Sequence, residues 1–411
     1  MMRISPRKIE NQEQAKTLMR DYGVSPEGID IMAPKSVYAA FTIEDISSWE
    51  ANIIKQQLLS LGSDSAVCRK ALIREMNTRT LIFGTVSQLR ALSEKLRGQP
   101  FQLRQIGQTI ARQLDAICFP HRQLRARTKK INVQRPVVCG IVNMTVDSFS
   151  GDGLLRSGVR WTSSTRSKLR SVLLSQAEEM LADGADMLDI GAESTRPFSR
   201  SVSENEERKR IAFAVRTLRR RFSKVPLSVD TSKYSVARTA VEEGIDLVND
   251  VTALRTSPKI AQLVKRYKLG CVLMHMKGTP ATMQKNPSYQ DVVSEISDFF
   301  EERLAFCAEH GIHSAQLCLD PGIGFGKRLE DNLKIIRHLP SLKKFGLPLF
   351  IGISRKSFLG KVTGAAVQER LAGSLAAEVL ALINGANILR VHDVKETVQA
   401  AKVVARTEQV Q

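Results

Sequence analysis

From Val137 onward, eight short apolar runs alternate with amphipathic helical stretches, and no other feature of the chain constrains its fold as much. The runs are VVCGIVNM, MLDIGAE, PLSVDT, DLVNDV, GCVLMHM, QLCLDPG, PLFIGIS and ILRVHD. Between most of them lie segments such as SKLRSVLLSQAEEMLADG, SVARTAVEEG, SEISDFFEERLAFCAEHG and RLAGSLAAEVLALINGAN, several with the glycine that usually follows a helix. Near-continuous apolar strands alternating with helices predict a parallel sheet covered on both faces. Eight such units in roughly 270 residues match a (β/α)8 TIM barrel. A doubly wound open sheet is the alternative, but it usually needs fewer strands. The expected class is α/β, with the barrel over 131–411 and a small α+β domain over 1–130.

The first 130 residues lack this rhythm. KIENQEQAKTLMRDYG, SWEANIIKQQLLSLG and AVCRKALIREMNT read as helices, VYAAFTIEDI as a strand, and RTLIFGTVSQLRALSEKL as strand, turn and helix. Gly84-Thr85 is a strand-to-helix turn, or an anion site. PFQLRQIGQTIARQLDAI is a further helix leading to a basic linker. Nothing in this domain carries a catalytic signature.

The chain carries a formal charge of +19, concentrated in Arg122–Arg135 before the first run and Arg156–Arg170 after it. No nucleic-acid module accompanies these charges and aromatics are only 5%. They read as solvated surface, and no nucleic-acid partner is expected. No apolar stretch approaches the ~20 residues of a membrane span, and MMRISPRKIENQEQ is too polar for a secretory signal. Six cysteines without zinc or CxxC spacing suit reduced thiols, so the expected setting is cytoplasmic.

Each run empties into polar groups: Asn143, Glu193 to Pro197, Asp230, Asn249-Asp250, His275, Asp320 with PGIGFGK, Ser354 to Ser357, and Arg390 to Asp393. Singly, these could be helix caps, turn glycines or a satisfied core histidine. Together, at eight strand ends, they predict one site at the barrel mouth. Asp230, Asn249 and Asp320 offer acceptors and an amide, and Lys356 a donor, as a flat hydrogen-bonding heterocycle requires. Arg390 and His392, two apart on one strand, face the same way. With Asn143 they suit a phosphate group and a Mg²⁺ that keeps several waters. Asp147, Thr195 and Arg196 fall on loops that could close over the mouth.

NMTVDSFS, DIGAESTRP, SVDTSKYSVA, LVNDV, LMHMKGTPATMQ, DPGIGFGK, GISRKSFLG and RVHDVKE resemble, in order, the motifs of the dihydropteroate synthase family over residues 136–406. The resemblance implies an alkyl-group transferase of folate biosynthesis, a sulfonamide target. Members condense 6-hydroxymethyl-7,8-dihydropterin pyrophosphate with p-aminobenzoate and release pyrophosphate. It assigns Asp230, Asn249, Asp320 and Lys356 to the pterin, with Met274 and Phe325 against its ring. It assigns Asn143, Arg390 and His392 to the pyrophosphate, with Asn143 on Mg²⁺. Phe149, Thr195, Arg196, Pro197 and Ser357 form the p-aminobenzoate pocket, and Asp147 lies on the first closing loop. The catalytic set is then Asn143, Asp147, Lys356, Arg390 and His392. Partners would be small molecules, and the assembly a homodimer. Val146 replaces a usual Pro, Phe198 a usual Gly, and the stretch after Gly153 is longer than usual. A pterin-dependent methyltransferase would share the floor without STRP or SRKS. A non-catalytic pterin-binding barrel would show an ablated mouth.

Overall fold

The computed structural model describes residues 4–5, 7–9, 11–145, 163–193, 202–279 and 282–409. The chain divides into two compact units, the first holding residues 1–120 and the second beginning at His121.

The first unit runs α1 (Gln12–Asp21), α2 (Pro26–Ser36), β1 (Tyr38–Ser47), α3 (Ser48–Ser60), β2 (Asp64–Val67), β3 (Asn77–Thr85), α4 (Val86–Arg97) and α5 (Leu103–Cys118). Its sheet is antiparallel, in the order β1-β3-β2. Ile54, Leu58, Ile82, Leu89, Leu92, Leu96, Leu103 and Leu114 form its core. α3 and α4 both start at capping boxes, Ser47 with Glu50 and Thr85 with Gln88, in which each partner satisfies a free backbone N–H of the other. Gly84-Thr85 is thus a helix start. AVCRKALIREMNT, expected as a helix, is instead the end of β2, a 3₁₀ turn (Arg69–Leu72) and the start of β3.

The basic stretch expected to be a linker folds with the barrel. β4 (Gln123–Ala126) and β5 (Lys129–Asn132) form a hairpin whose Leu124, Ala126 and Ile131 pack with Val137, Cys139, Met187, Leu247 and Phe350. Its charges are partly tied down. Lys129 Nζ donates to Asp246 at 2.6 Å, and Arg127 donates to the carbonyls of Val241 and Ile245. The barrel unit therefore starts ten residues earlier than the apolar rhythm suggested.

Eight parallel strands follow: β6 (Val137–Asn143), β7 (Met187–Gly191), β8 (Leu227–Asp230), β9 (Leu247–Asp250), β10 (Gly270–Met274), β11 (Leu317–Asp320), β12 (Phe350–Ile351) and β13 (Ile388–Val391). Their order is β11-β10-β9-β8-β7-β6-β13-β12. A parallel bridge from Leu319 to Leu349, just before β12, joins the two ends of this order. The helices between and after them are α6 (Ser163–Ala182), α7 (Glu204–Arg221), α8 (Tyr234–Glu242), α9 (Ile260–Tyr267), α10 (Val292–Glu309), α11 (Leu329–Arg337), α12 (Ser357–Thr363), α13 (Leu371–Ile383) and α14 (Val394–Gln409). β6, β7, β9, β10 and β11 are buried almost throughout, as strands covered on both faces must be. This is the (β/α)8 barrel. All six cysteines are free, and no described helix is long and apolar enough to cross a membrane.

Candidate active site

The barrel floor is built around one guanidinium. Arg390, on β13, donates from Nε to Asp189 Oδ2 at 2.6 Å and from an Nη to Asp230 Oδ2 at 3.1 Å. Asn249 Nδ2 donates to the same Asp189 oxygen at 3.1 Å. Two carboxyl groups share this one cation. Burial pushes the Asp230 carboxyl up to about 7; Arg390 opposes the shift and Asp189 adds to it. Burial works against the Arg390 charge, but Asp189 and Asp230 outweigh it and raise its pKa.

Asp189 is the residue that reading strand ends misses. It lies mid-strand in MLDIG, with 0% exposure. Its Oδ1 and the Oδ1 of Asn249 are buried with no hydrogen-bond partner in the protein. Two orphaned acceptors in one cluster, each costing about 1–3 kcal/mol unpaired, call for a ligand with N–H donors.

Asn143 stands beside this floor. It is opposite Gly191 in the β6–β7 register. A Cβ at Gly191 would lie 3.7 Å from Asp230 Cβ and 3.9 Å from Asn143 Oδ1. The glycine thus leaves open space between the amide and the carboxylate. Across the mouth, Lys356 donates to the Ile323 carbonyl, and its Nζ sits 4.6 Å from the centre of the Phe325 ring. Burial pulls this lysine down to about 8, with Asp320 opposing. Burial raises the Asp320 carboxyl, with Lys356 opposing. Asp320 Oδ1 accepts from Gly322 N at 2.7 Å. Gly322 has φ +68°, and a Cβ there would fall 1.9 Å from the His275 carbonyl, so no other residue fits. Met274 and Phe325 join one apolar cluster with Val251, Met276 and Met283. His392 is held by Ser354: its N–H donates to Oγ at 3.2 Å and its Nδ1 lies 3.1 Å from the same oxygen. Ser357 opens α12 and is exposed.

Asp147, Phe149, Thr195, Arg196 and Pro197 lie outside the described residues, as do Val146 and Phe198. Glu193 accepts from Val202 N at 3.1 Å and from Lys233 Nζ at 2.8 Å.

Two strand-end groups do not join the mouth, which corrects the expectation that all eight converge. Asp250 accepts from Thr252 and Leu254 N–H and closes its own turn. His275 is buried against Phe299 of α10, and its Nδ1 lies 3.0 Å from Lys327 Nζ. Both follow from strand alternation: each neighbours an inward residue, Asn249 or Met274, and so faces the other way. Lys327, the last residue of PGIGFGK, is also buried and donates to the Phe325 carbonyl at 3.0 Å. It braces the loop that carries Phe325.

This pair makes stability acid-sensitive. Burial, then Lys327, hold His275 down to about 2. An unfolded histidine titrates near 6.5, so below that pH the unfolded chain binds a proton that the folded chain refuses, and stability falls. Asp230 and Glu378, raised to about 7 and about 8, act oppositely as pH falls through those values. The diagnostic is therefore a difference. His275→Asn keeps an acceptor but cannot titrate. The urea midpoint of wild type relative to this variant is expected to fall between about pH 7 and pH 5. A constant difference would show that His275 takes up its proton in the fold as readily as in the unfolded chain.

Among the described residues no three His, Cys, Asp or Glu side chains cluster as metal ligands. The Asn143 amide oxygen suits a Mg²⁺ that keeps its waters and borrows phosphate oxygens, not one caged by protein carboxylates.

A barrel with donor-seeking acceptors on its floor and a cation at its rim is one that grips a flat heterocycle. Comparison with known proteins is specific. Residues 139–392 match the family described as pterin binding enzyme. The Escherichia coli K12 dihydropteroate synthase is 41% identical over 285 residues, 69% of this chain and 96% of that protein. A Yersinia pestis dihydropteroate synthase, solved as a sulfonamide drug complex, aligns at TM-score 0.64 and 42% identity, covering 70% of this chain and 100% of that one. The bifunctional dihydropteroate synthase/dihydropteroate reductase of Helicobacter pylori is 30% identical over 403 residues, 97% of this chain and 98% of that protein. The chain belongs to the pterin binding enzyme family, and within it to the dihydropteroate synthases.

Proposed function

We propose that the chain joins 6-hydroxymethyl-7,8-dihydropterin pyrophosphate to p-aminobenzoate, giving 7,8-dihydropteroate and pyrophosphate. The observation that carries this reading is the pair of orphaned acceptors, Asp189 Oδ1 and Asn249 Oδ1, beside Asp230. A pterin's N–H and NH2 groups would satisfy them, with Asp320 and Lys356 completing the ring contacts. Arg390 holds the floor first, and it has five N–H donors, of which two go to the carboxylates. The rest would serve the leaving pyrophosphate together with Asn143 and His392.

The C–O bond at the pterin methylene breaks, and pyrophosphate takes the electron pair. The amine nitrogen of p-aminobenzoate forms the new C–N bond and releases a proton to water. No group need act as a strong base, so the chain's task is positioning and stabilising charge on the leaving group. Asn143 would hold a Mg²⁺ there, which when bound neutralises phosphate charge. The proteins of this barrel would pair as homodimers through barrel helices, since Leu380 and Ile383 of α13 are 53% and 59% exposed. The free, mostly buried cysteines favour a reducing, cytoplasmic setting. The test is pyrophosphate release that requires both substrates. Release from the pterin alone, or methyl transfer, would overturn the reading.

A second activity follows from the full-length match to the bifunctional relative, which extends through the N-terminal unit. We infer that the chain also reduces its product as a dihydropteroate reductase. The two activities should separate. A chain beginning at His121 keeps the hairpin and is expected to retain synthase turnover within about threefold and lose reduction. A chain beginning at Arg125 lacks Leu124, which is fully buried in the barrel core, and is expected to fold poorly. A folded chain from His121 without synthase turnover would show that the N-terminal unit takes part in the condensation.

A further inference from the structure

The corner between α4 and α5 carries basic and aromatic side chains that stay exposed. Arg104, Gln108 and Arg112 recur every fourth residue on one face of α5, with Gln105 beside them. With Arg97 from the end of α4 and Phe101 from the turn, they line a hollow of about 830 Å³. All six are exposed and none is acidic. Arg97 pairs with Glu94 at 3.0 Å, but both side chains are at least half exposed, so this pair is weak. Arg104 donates Nε to the Arg97 carbonyl, and Arg112 donates one N–H to Thr109, which leaves most of both forks available.

Phe101 is the second, independent observation. Its φ is +60°, a region that an aromatic residue seldom enters. It is 69% exposed. Its ring meets Trp49 edge-on at 4.5 Å. Glycine would make the same turn without strain. The chain instead holds a phenyl ring out to solvent, beside three guanidinium groups, in a conformation of the kind found at ligand clamps.

We propose that this hollow binds a phosphate-bearing aromatic redox cofactor, its ring on Phe101 and its phosphates among Arg97, Arg104 and Arg112. The choice of a redox cofactor rests on the reductase reading. Reduction of 7,8-dihydropteroate adds a hydride to the carbon of its C=N bond and a proton to the nitrogen. The hydride's electron pair leaves the donor, which is oxidised by two electrons. No amino-acid side chain supplies a hydride, so the donor is a reduced flavin or a reduced nicotinamide. Both combine a flat ring with phosphate.

The full-length protein is titrated with FMN and, separately, with NADPH, by calorimetry and by the quenching of tryptophan fluorescence, with Trp161→Phe as background so that the signal is that of Trp49. At least one is expected to bind. The triple variant Arg97→Glu, Arg104→Glu, Arg112→Glu is expected to weaken binding about a hundredfold or more. Phe101→Gly is expected to weaken it about tenfold while leaving the melting temperature unchanged or raised, because glycine accepts the positive φ. Synthase turnover should be unchanged in both. The proposal is overturned if neither compound binds at millimolar concentration, or if affinity survives the triple reversal, which would place the ligand at the barrel mouth. Binding that depends on the hollow, without oxidation of the reduced cofactor when 7,8-dihydropteroate is added, would keep the site and discard the reductase reading.

Discussion

Asp189→Ala is expected to lower the stability of the barrel by about 3–5 kcal/mol, the usual cost of removing one partner from a buried charge pair. Arg390 would keep only the 3.1 Å contact to Asp230, and the Asn249 amide would lose the acceptor it now reaches at 3.1 Å. The cation would remain, with the carboxylate that it reaches at 2.6 Å gone. Asp189→Asn keeps the shape and should cost less, although its new amide group must find an acceptor beside Arg390. Asp230→Asn should behave differently again. The Asp230 side chain is 11% exposed, at the end of β8. It should cost about 1–3 kcal/mol of pterin affinity, the range for a charged hydrogen bond, and less stability. Urea unfolding and pterin-pyrophosphate calorimetry on the three variants measure this. If Asp189→Ala unfolds within 1 kcal/mol of wild type, Arg390 does not depend on it and the floor is wrongly drawn.

The contrast between Asp189 and Asp230 also shows what the sequence exposes and what it hides. Eight apolar runs in 270 or so residues leave few architectures open, and each run became a strand. Asp230, Asn249 and Asp320 were visible because they close their runs. Asp189 was not, because it sits inside MLDIG, where a search of strand ends does not look. Its signal was nevertheless present: a lone carboxylate in a run otherwise buried on both faces must have a buried partner. Alternation likewise separates Asn249 from Asp250 and Met274 from His275, since adjacent strand residues face opposite sides. Lys327 hid in a glycine-rich turn. The β4–β5 hairpin hid because a short, charged stretch resembles a linker until Leu124, Ala126 and Ile131 are seen to share one face.

Asn143→Ala should show the largest effect on turnover, a fall in kcat of about 10²–10³. β6 is buried along its length and delivers Asn143, half-buried, at its end. The strand fixes the amide before any substrate arrives, so no reorganisation is needed when charge builds on the departing pyrophosphate. An interaction that strengthens as charge develops acts on kcat more than on ground-state affinity. Pterin-pyrophosphate affinity should therefore fall much less than kcat, and the p-aminobenzoate Michaelis constant should barely move. Gly191→Ala probes the same space from the neighbouring strand. Its new methyl would meet Asp230 and Asn143 at 3.7–3.9 Å, ordinary contact distances. The fold should accept it, while the gap between the carboxylate and the amide narrows. Both substrates should then bind less well, with stability near that of wild type. Steady-state kinetics on the two variants, with Mg²⁺ varied, separates the roles. If Asn143→Ala raises only the p-aminobenzoate constant and leaves kcat intact, the amide belongs to the amine's side of the mouth and the pyrophosphate is held by Arg390 and His392 alone.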